Sequence, residues 1–178
     1  MSEQVRALVV DDEPDLCMVT KEFLEMGGDM AADIATSVDE ARRALSQNRY
    51  DVVISDYQMP QEDGLSFLKS LRSAGNSVPF ILFTGKGREE VVIRALNLGA
   101  DSYLQKGGDA GSQYAELKHL IRTVVSRHRA VERQMEMSER MRLKLDSVLS
   151  PDYDIEESEL ANIIDAQEIQ SFMDDFAR

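Results

Sequence analysis

The sequence predicts a three-layer α/β domain, a five-stranded parallel sheet covered by helices on both faces. Three observations carry this expectation. Short apolar runs alternate with helix-spaced segments from residue 5 to about residue 113. The runs ALVV, VVI and FILF are continuously apolar, as strands buried on both faces are. Each run also ends in a polar residue: Ala7 to Val10 in Asp11-Asp12, Val52 to Ile54 in Asp56, Phe80 to Phe83 in Thr84, and Tyr103-Leu104 in Lys106. Open α/β sheets use the crevice outside the carboxyl ends of their strands, and these residues would gather there.

The elements follow in order. After Asp12 a helix begins near Pro14, a residue suited to a first turn, and is expected to bury Leu16, Val19, Phe23 and Met26 before Gly27-Gly28 stops it. The mixed stretch Ala31 to Ala35 reads as a second strand. Ser37 and Glu40 then form a capping box for a helix with Val38, Ala41 and Leu45 on its apolar side. Leu65, Leu68 and Leu71 mark a third helix ending at Gly75; Val92, Ala95 and Leu96 mark a fourth, closed by Gly99. Mixed strands belong at sheet edges, so the second strand and the fifth, Ser102 to Gln105, go outside. That gives the order 2-1-3-4-5 of the flavodoxin-like (βα)5 class.

From Tyr114 to about Leu149 there is no glycine or proline, which predicts one long helix continuing the last helix of the domain. Leu117, Ile121, Val124, His128, Val131 and Met135 alternate four- and three-residue steps, the spacing of a coiled-coil seam. Ser138 and Arg142 interrupt the register, and Met141, Leu145 and Val148 resume it after a slip. Two readings stay open: a homodimer through this helix, or a helix that packs to about Val125 and continues as a solvated linker. The chain thus divides into a domain over residues 1–125, a linker helix over 126–149, and a segment over 150–178 with nine acids, one base and helically spaced apolar residues.

The net charge of −13 argues against direct nucleic-acid binding. No stretch approaches a signal peptide or a membrane span, so a cytoplasmic protein is expected. Cys17 is the only cysteine and reads as a small buried helix residue.

The polar strand ends suit phosphoryl transfer. Asp56 precedes Tyr57-Gln58-Met59-Pro60, where the proline favours a loop, so its carboxylate should stand at the rim and could attack phosphorus. Asp11, Asp12 and Asp56 would repel one another unless a divalent cation held them ionised, and all-oxygen ligands suit Mg²⁺. Lys106 would pair with a phosphoryl oxygen and the carboxylate, and Thr84 would donate to another oxygen. Gly85 would leave the approach open. Taken singly these residues have bland alternatives: Asp12 as a helix cap, Asp56 as a turn residue, Thr84 as a strand-end hydroxyl, Lys106 as a surface cation.

With LVVDDEPD, VVISDYQMPQEDGL, PFILFTGKG and GADSYLQK, the chain resembles the response-regulator receiver (CheY-like) domain over roughly residues 5 to 125. The resemblance implies Asp56 as phosphoacceptor from a histidine kinase or phosphotransfer protein, Asp11 and Asp12 as acidic Mg²⁺ residues, and the Gln58 backbone carbonyl as a further ligand. It also implies Thr84 and Tyr103 as a switch pair, although Tyr103 also reads as an edge-strand aromatic. One departure is Gly107-Gly108 where the family usually has proline after the lysine. The stretch DSVLSPDYDIEESELANIIDAQEIQSFMDDFAR is similar to the opening helices of a PocR-type sensory domain of archaeal signalling proteins, which would make the chain a piece of a longer protein or one with a vestigial tail.

Two other functions fit parts of the pattern. A haloacid-dehalogenase-like phosphatase also uses a strand-end aspartate nucleophile, but wants a second acid where Gln58 stands. A fragment of a hybrid sensor kinase would use His119-Leu120-Ile121-Arg122-Thr123 as a phosphoacceptor helix. No acid follows His119, and no glycine-rich nucleotide-binding unit comes after it.

Overall fold

Side chains of a strand alternate between faces, and in the central strands both sets are apolar, so each strand feeds two cores. The computed structural model describes residues 4–85 and 89–148. In it β1 (Val5–Val10), β2 (Met30–Ala35), β3 (Val52–Ser55), β4 (Phe80–Thr84) and β5 (Ser102–Gln105) form one sheet in the order β2-β1-β3-β4-β5. All neighbouring pairs are parallel. The helices between and after them are α1 (Pro14–Glu25), α2 (Val38–Gln47), α3 (Gly64–Ser73), α4 (Glu89–Asn97) and α5 (Ala110–Val148). The expected topology is therefore present, with the two mixed strands at the edges.

Leu8, Val10, Val53, Phe80 and Leu82 point to one face and pack with residues of α2, α3 and α4, among them Ala41, Phe67, Leu68 and Ala95. Ala7, Val9, Ile54, Ile81 and Phe83 point to the other and meet Cys17 and Leu24 of α1 with Tyr114, Leu117, Ile121 and Val124 of α5. Fully burying a side chain such as Leu8 or Phe80 contributes about 1.5–3 kcal/mol.

Two helix faces differ from expectation. On α1 the buried residues are Cys17, Thr20 and Leu24, whereas Val19, and Met26 just past the helix end, face solvent. The core takes the smaller, more polar stripe because Thr20 shares a hydrogen bond with the Tyr114 hydroxyl, 3.2 Å away, which satisfies it inside. On α4, Val91 and Ala95 are buried and Leu96 is exposed. The capping of α2 is as expected in kind: Ser37 Oγ accepts from the Glu40 N–H, and the Glu40 carboxylate reaches back to the Thr36 N–H.

The chain falls into two units, Met1–Arg129 and Ala130–Arg178. Within the first, α5 is fixed to the amino-terminal end of the sheet by Arg122 with Asp29 and by Arg129 with Asp51, each pair at 2.7 Å. Leu117, Ile121 and Val124, the first seam positions, are consumed by the core. In the second unit Val131 and Met135 of α5 are 45% and 67% exposed. The acidic 150–178 segment and its sensory-domain likeness lie outside the described residues. Among the described residues no helix is long and apolar enough to cross a membrane.

The start of α3 sits unusually close to β3. A Cβ on Gly64 would lie 2.2 Å from the Asp56 carbonyl oxygen, a backbone atom that cannot swing aside. Gly64→Ala is expected to lower stability by about 1–3 kcal/mol in urea denaturation, the range for overpacking.

Candidate functional site

The sheet ladder runs one residue past three strands, and each time it delivers a predicted site residue. The Asp11 N–H donates to Ala35 O at 3.1 Å, the Asp56 N–H to Val10 O at 2.8 Å, and the Lys106 N–H to Thr84 O at 2.9 Å. The polar side chains therefore leave the sheet at one edge, the carboxyl ends of parallel strands.

There Lys106 Nζ donates to Asp11 Oδ2 and, at 2.9 Å, to Asp56 Oδ1. It also stands 5.5 Å from the centre of the Phe83 ring. Burial pulls the Lys106 ammonium down, but its hydrogen bonds to Asp11 and Asp56 and their charges outweigh that, and the group is held above its ordinary range. The other carboxylate oxygens have their own donors. Asp11 Oδ1 accepts from the Glu13 N–H at 2.9 Å, and Asp56 Oδ2 from the Gln58 N–H at 2.6 Å. Both carboxylates are held in one orientation, and the Asp56 side chain remains 11% exposed, open to a reactant.

The remaining predicted residues divide. Thr84 closes β4 and is 1% exposed, beside the lysine loop. Asp12 is partly exposed next to Asp11, and it is not the helix cap: Glu13 holds that position, without a side-chain cap bond. Tyr103 lies in β5, partly buried against the core under α3 and α4, and burial raises its hydroxyl above the usual phenol range. Among the described residues, a Cβ on Gly85 would meet only the Lys106 Cβ, at an ordinary 3.9 Å. Gly107 and Gly108 take φ of +148° and +83°, so the chain turns after Lys106 with backbone angles that L side chains resist. His119 is exposed on α5, as a surface histidine would be.

Among the described residues no group of three or more Asp, Glu, His or Cys side chains stands close enough to hold a metal ion. The ammonium of Lys106 takes the point where Asp11 and Asp56 converge. The donor set nevertheless fits a hard divalent cation, because two carboxylates already converge on one positive centre and every candidate donor atom is oxygen.

Sequence reasoning missed the supports behind Asp56. Ser55, fully buried at the end of β3, donates from Oγ to the Asp56 carbonyl at 2.8 Å, and Gly64 donates its N–H to Tyr57 O at 2.8 Å. A serine closing the apolar run VVI was the available signal.

A family model described as the response regulator receiver domain matches residues 7–118. The chain belongs to this family. The receiver is 35% identical over 132 residues to response regulator Rre1 of Synechocystis, covering 73% of this chain and 55% of that one. It is 34% identical over 119 residues to transcriptional regulatory protein PrrA of Mycobacterium tuberculosis, covering 66% and 50%. The chain thus spans about half the length of the curated relatives it matches. The Francisella response regulator 1452 receiver domain superposes with a TM-score of 0.64 at 30% identity, covering 70% of this chain and 99% of that one. A receiver from Methanospirillum hungatei gives 0.62 at 23% identity, a likeness of fold, covering 70% and 99%. Receivers of this family serve in two-component phosphorelay signalling.

The same edge holds Cys17, whose Sγ donates to Asp11 O at 3.3 Å. Burial, with the Asp11 charge adding to it, pushes the thiol up to about 11. Native protein at pH 8 is therefore expected to resist a thiol reagent that labels it once urea is added. The folded chain keeps this proton where the unfolded chain loses it, so the stability it contributes is present below pH 9.0 and falls away as pH rises through about 11.

Proposed function

We propose that this receiver is a phosphoacceptor switch in which Asp56 takes a phosphoryl group from a histidine kinase or phosphotransfer protein. The observation that carries the reading is the shared ammonium of Lys106, which joins Asp11 and Asp56 although they come from different strands. An Asp56 carboxylate oxygen attacks phosphorus while the phosphorus–nitrogen bond of the donor phosphohistidine breaks. The electron pair leaves with the imidazole, and an acyl phosphate remains. Lys106 pairs with a phosphoryl oxygen as it forms, and Thr84 donates its hydroxyl to another. The Gln58 N–H keeps Asp56 in line.

Asp11, Asp12, Asp56 and the Gln58 carbonyl would hold Mg²⁺, which when bound neutralises charge on the transferred oxygens. Moving toward the phosphoryl group, Thr84 would vacate space that Tyr103 fills by turning inward, shifting an existing equilibrium on the face near α4 and α5. The chain would act as a switch and not as a turnover enzyme. Output passes through α5, where exposed Val131 and Met135 suit a seam with a second copy.

Incubation with acetyl phosphate and Mg²⁺ is expected to add a single phosphoryl group, seen by mass spectrometry, and Asp56→Asn should abolish it. Steady release of phosphate over many turnovers would instead favour a phosphatase. In sedimentation velocity, Val131→Asp is expected to shift the protein toward monomer; an unchanged distribution would count against the seam.

A further inference from the structure

Between Asp56 and α3 lies the loop Tyr57–Asp63. Its Gln58 N–H orients the Asp56 carboxylate, and its last residue caps α3, Asp63 Oδ1 accepting from the Ser66 N–H at 2.7 Å. Between them Gln61 stands at φ +70°, the one non-glycine residue in the left-handed region among those described. An L side chain resists that conformation because its Cβ crowds the following carbonyl. Inside the loop the Glu62 N–H donates to Pro60 O at 2.8 Å, closing a tight turn around Gln61, and a second hold comes from outside.

The next residue, Glu62, is where it is held. Both its carboxylate oxygens accept from the guanidinium of Arg42 on α2, each at 2.7 Å. Arg42 has three further contacts: a 3.0 Å bond to Ser70 Oγ on α3, a 3.6 Å ion pair with Asp39 on its own helix, and a place 5.9 Å from the centre of the buried Phe67 ring. A two-pronged arginine–carboxylate contact fixes direction as well as distance. The Arg42 and Glu62 side chains are 40% and 28% exposed, so solvent screens their charges and the pair adds little to global stability. Its effect is geometric: one cation ties α2, the loop and α3 together beside the acceptor.

We propose that the Arg42–Glu62 pair is a positioning device for the acceptor site, holding Gln61 left-handed and thereby setting the Gln58 peptide against Asp56. This rests on the reading of Asp56 as phosphoacceptor, because the same residue, through its next peptide, offers the proposed magnesium-binding carbonyl. Charge alone cannot explain such a role. A pure field effect gives opposite signs for the two partners: losing Glu62 would weaken cation binding, and losing Arg42 would strengthen it. A mechanical clamp gives the same sign for both.

The test compares the wild-type chain with Glu62→Ala, Arg42→Ala and the double variant. Glu62→Gln, which keeps one acceptor toward Arg42, is the milder form. The first readout is the Gln58 backbone amide in a nitrogen–proton correlation spectrum without metal. The second is the Mg²⁺ concentration giving half-maximal phosphorylation by acetyl phosphate. The Gln58 amide should move upfield in both single variants, less so in Glu62→Gln. The half-saturating Mg²⁺ should rise about 10-fold in either single variant, the scale seen when a supporting contact behind a metal ligand is removed. The double variant should be no worse than either single one. An unmoved Gln58 amide, or Mg²⁺ shifts of opposite sign, would overturn the proposal. If wild-type protein takes no phosphoryl group on Asp56 the functional reading fails, while the amide comparison still decides whether the pair sets the loop.

Discussion

The ammonium of Lys106, shared between the carboxylates of Asp11 and Asp56, is the contact on which the rest of the site depends. It joins the ends of β1, β3 and β5, and β5 is separated from β3 by a whole strand. Two carboxylates brought to one place would repel by on the order of 4 kcal/mol for unit charges 4 Å apart at an effective dielectric of 20. The cation converts that repulsion into two attractive contacts. It also leaves each acid with a second oxygen fixed by a backbone N–H, so both carboxylates are oriented by the fold itself.

The fold supplies this arrangement at little conformational cost. Because β1, β3 and β4 are apolar on both faces, they are buried from both sides, and only their ends remain for polar groups. The residues after the strands stay in the hydrogen-bonded ladder, so their side chains inherit the order of the sheet. Asp11 is nearly buried, yet its oxygens are satisfied by Lys106 and the Glu13 N–H.

Much of this was legible in the residues themselves. Continuous runs against mixed ones separated central from edge strands, and the polar residue ending each run marked the edge where the site lies. Two things were hidden. The buried stripe of α1 could not be read from hydropathy, because Thr20 is made acceptable inside by Tyr114, which is 94 residues away along the chain. The Arg42–Glu62 contact was equally invisible, since two oppositely charged residues 20 positions apart on separate elements form no periodic pattern. Local periodicity reports which face is apolar; it carries no information about which distant polar groups meet. The resemblance, by contrast, rested on whole motifs, and the family match over residues 7–118 agrees with it.

Lys106 reaches its partners from a turn built by Gly107 and Gly108, and Asp56 leans on a helix that begins at Gly64. None of the three glycines has a side chain that could bind or react. In a survey of every substitution, these inert positions would still rank among the least tolerant, beside the acids and the amine they support. Intolerance to replacement in this molecule thus measures the backbone angles at Gly107 and Gly108 and the close approach at Gly64 as much as it measures chemistry.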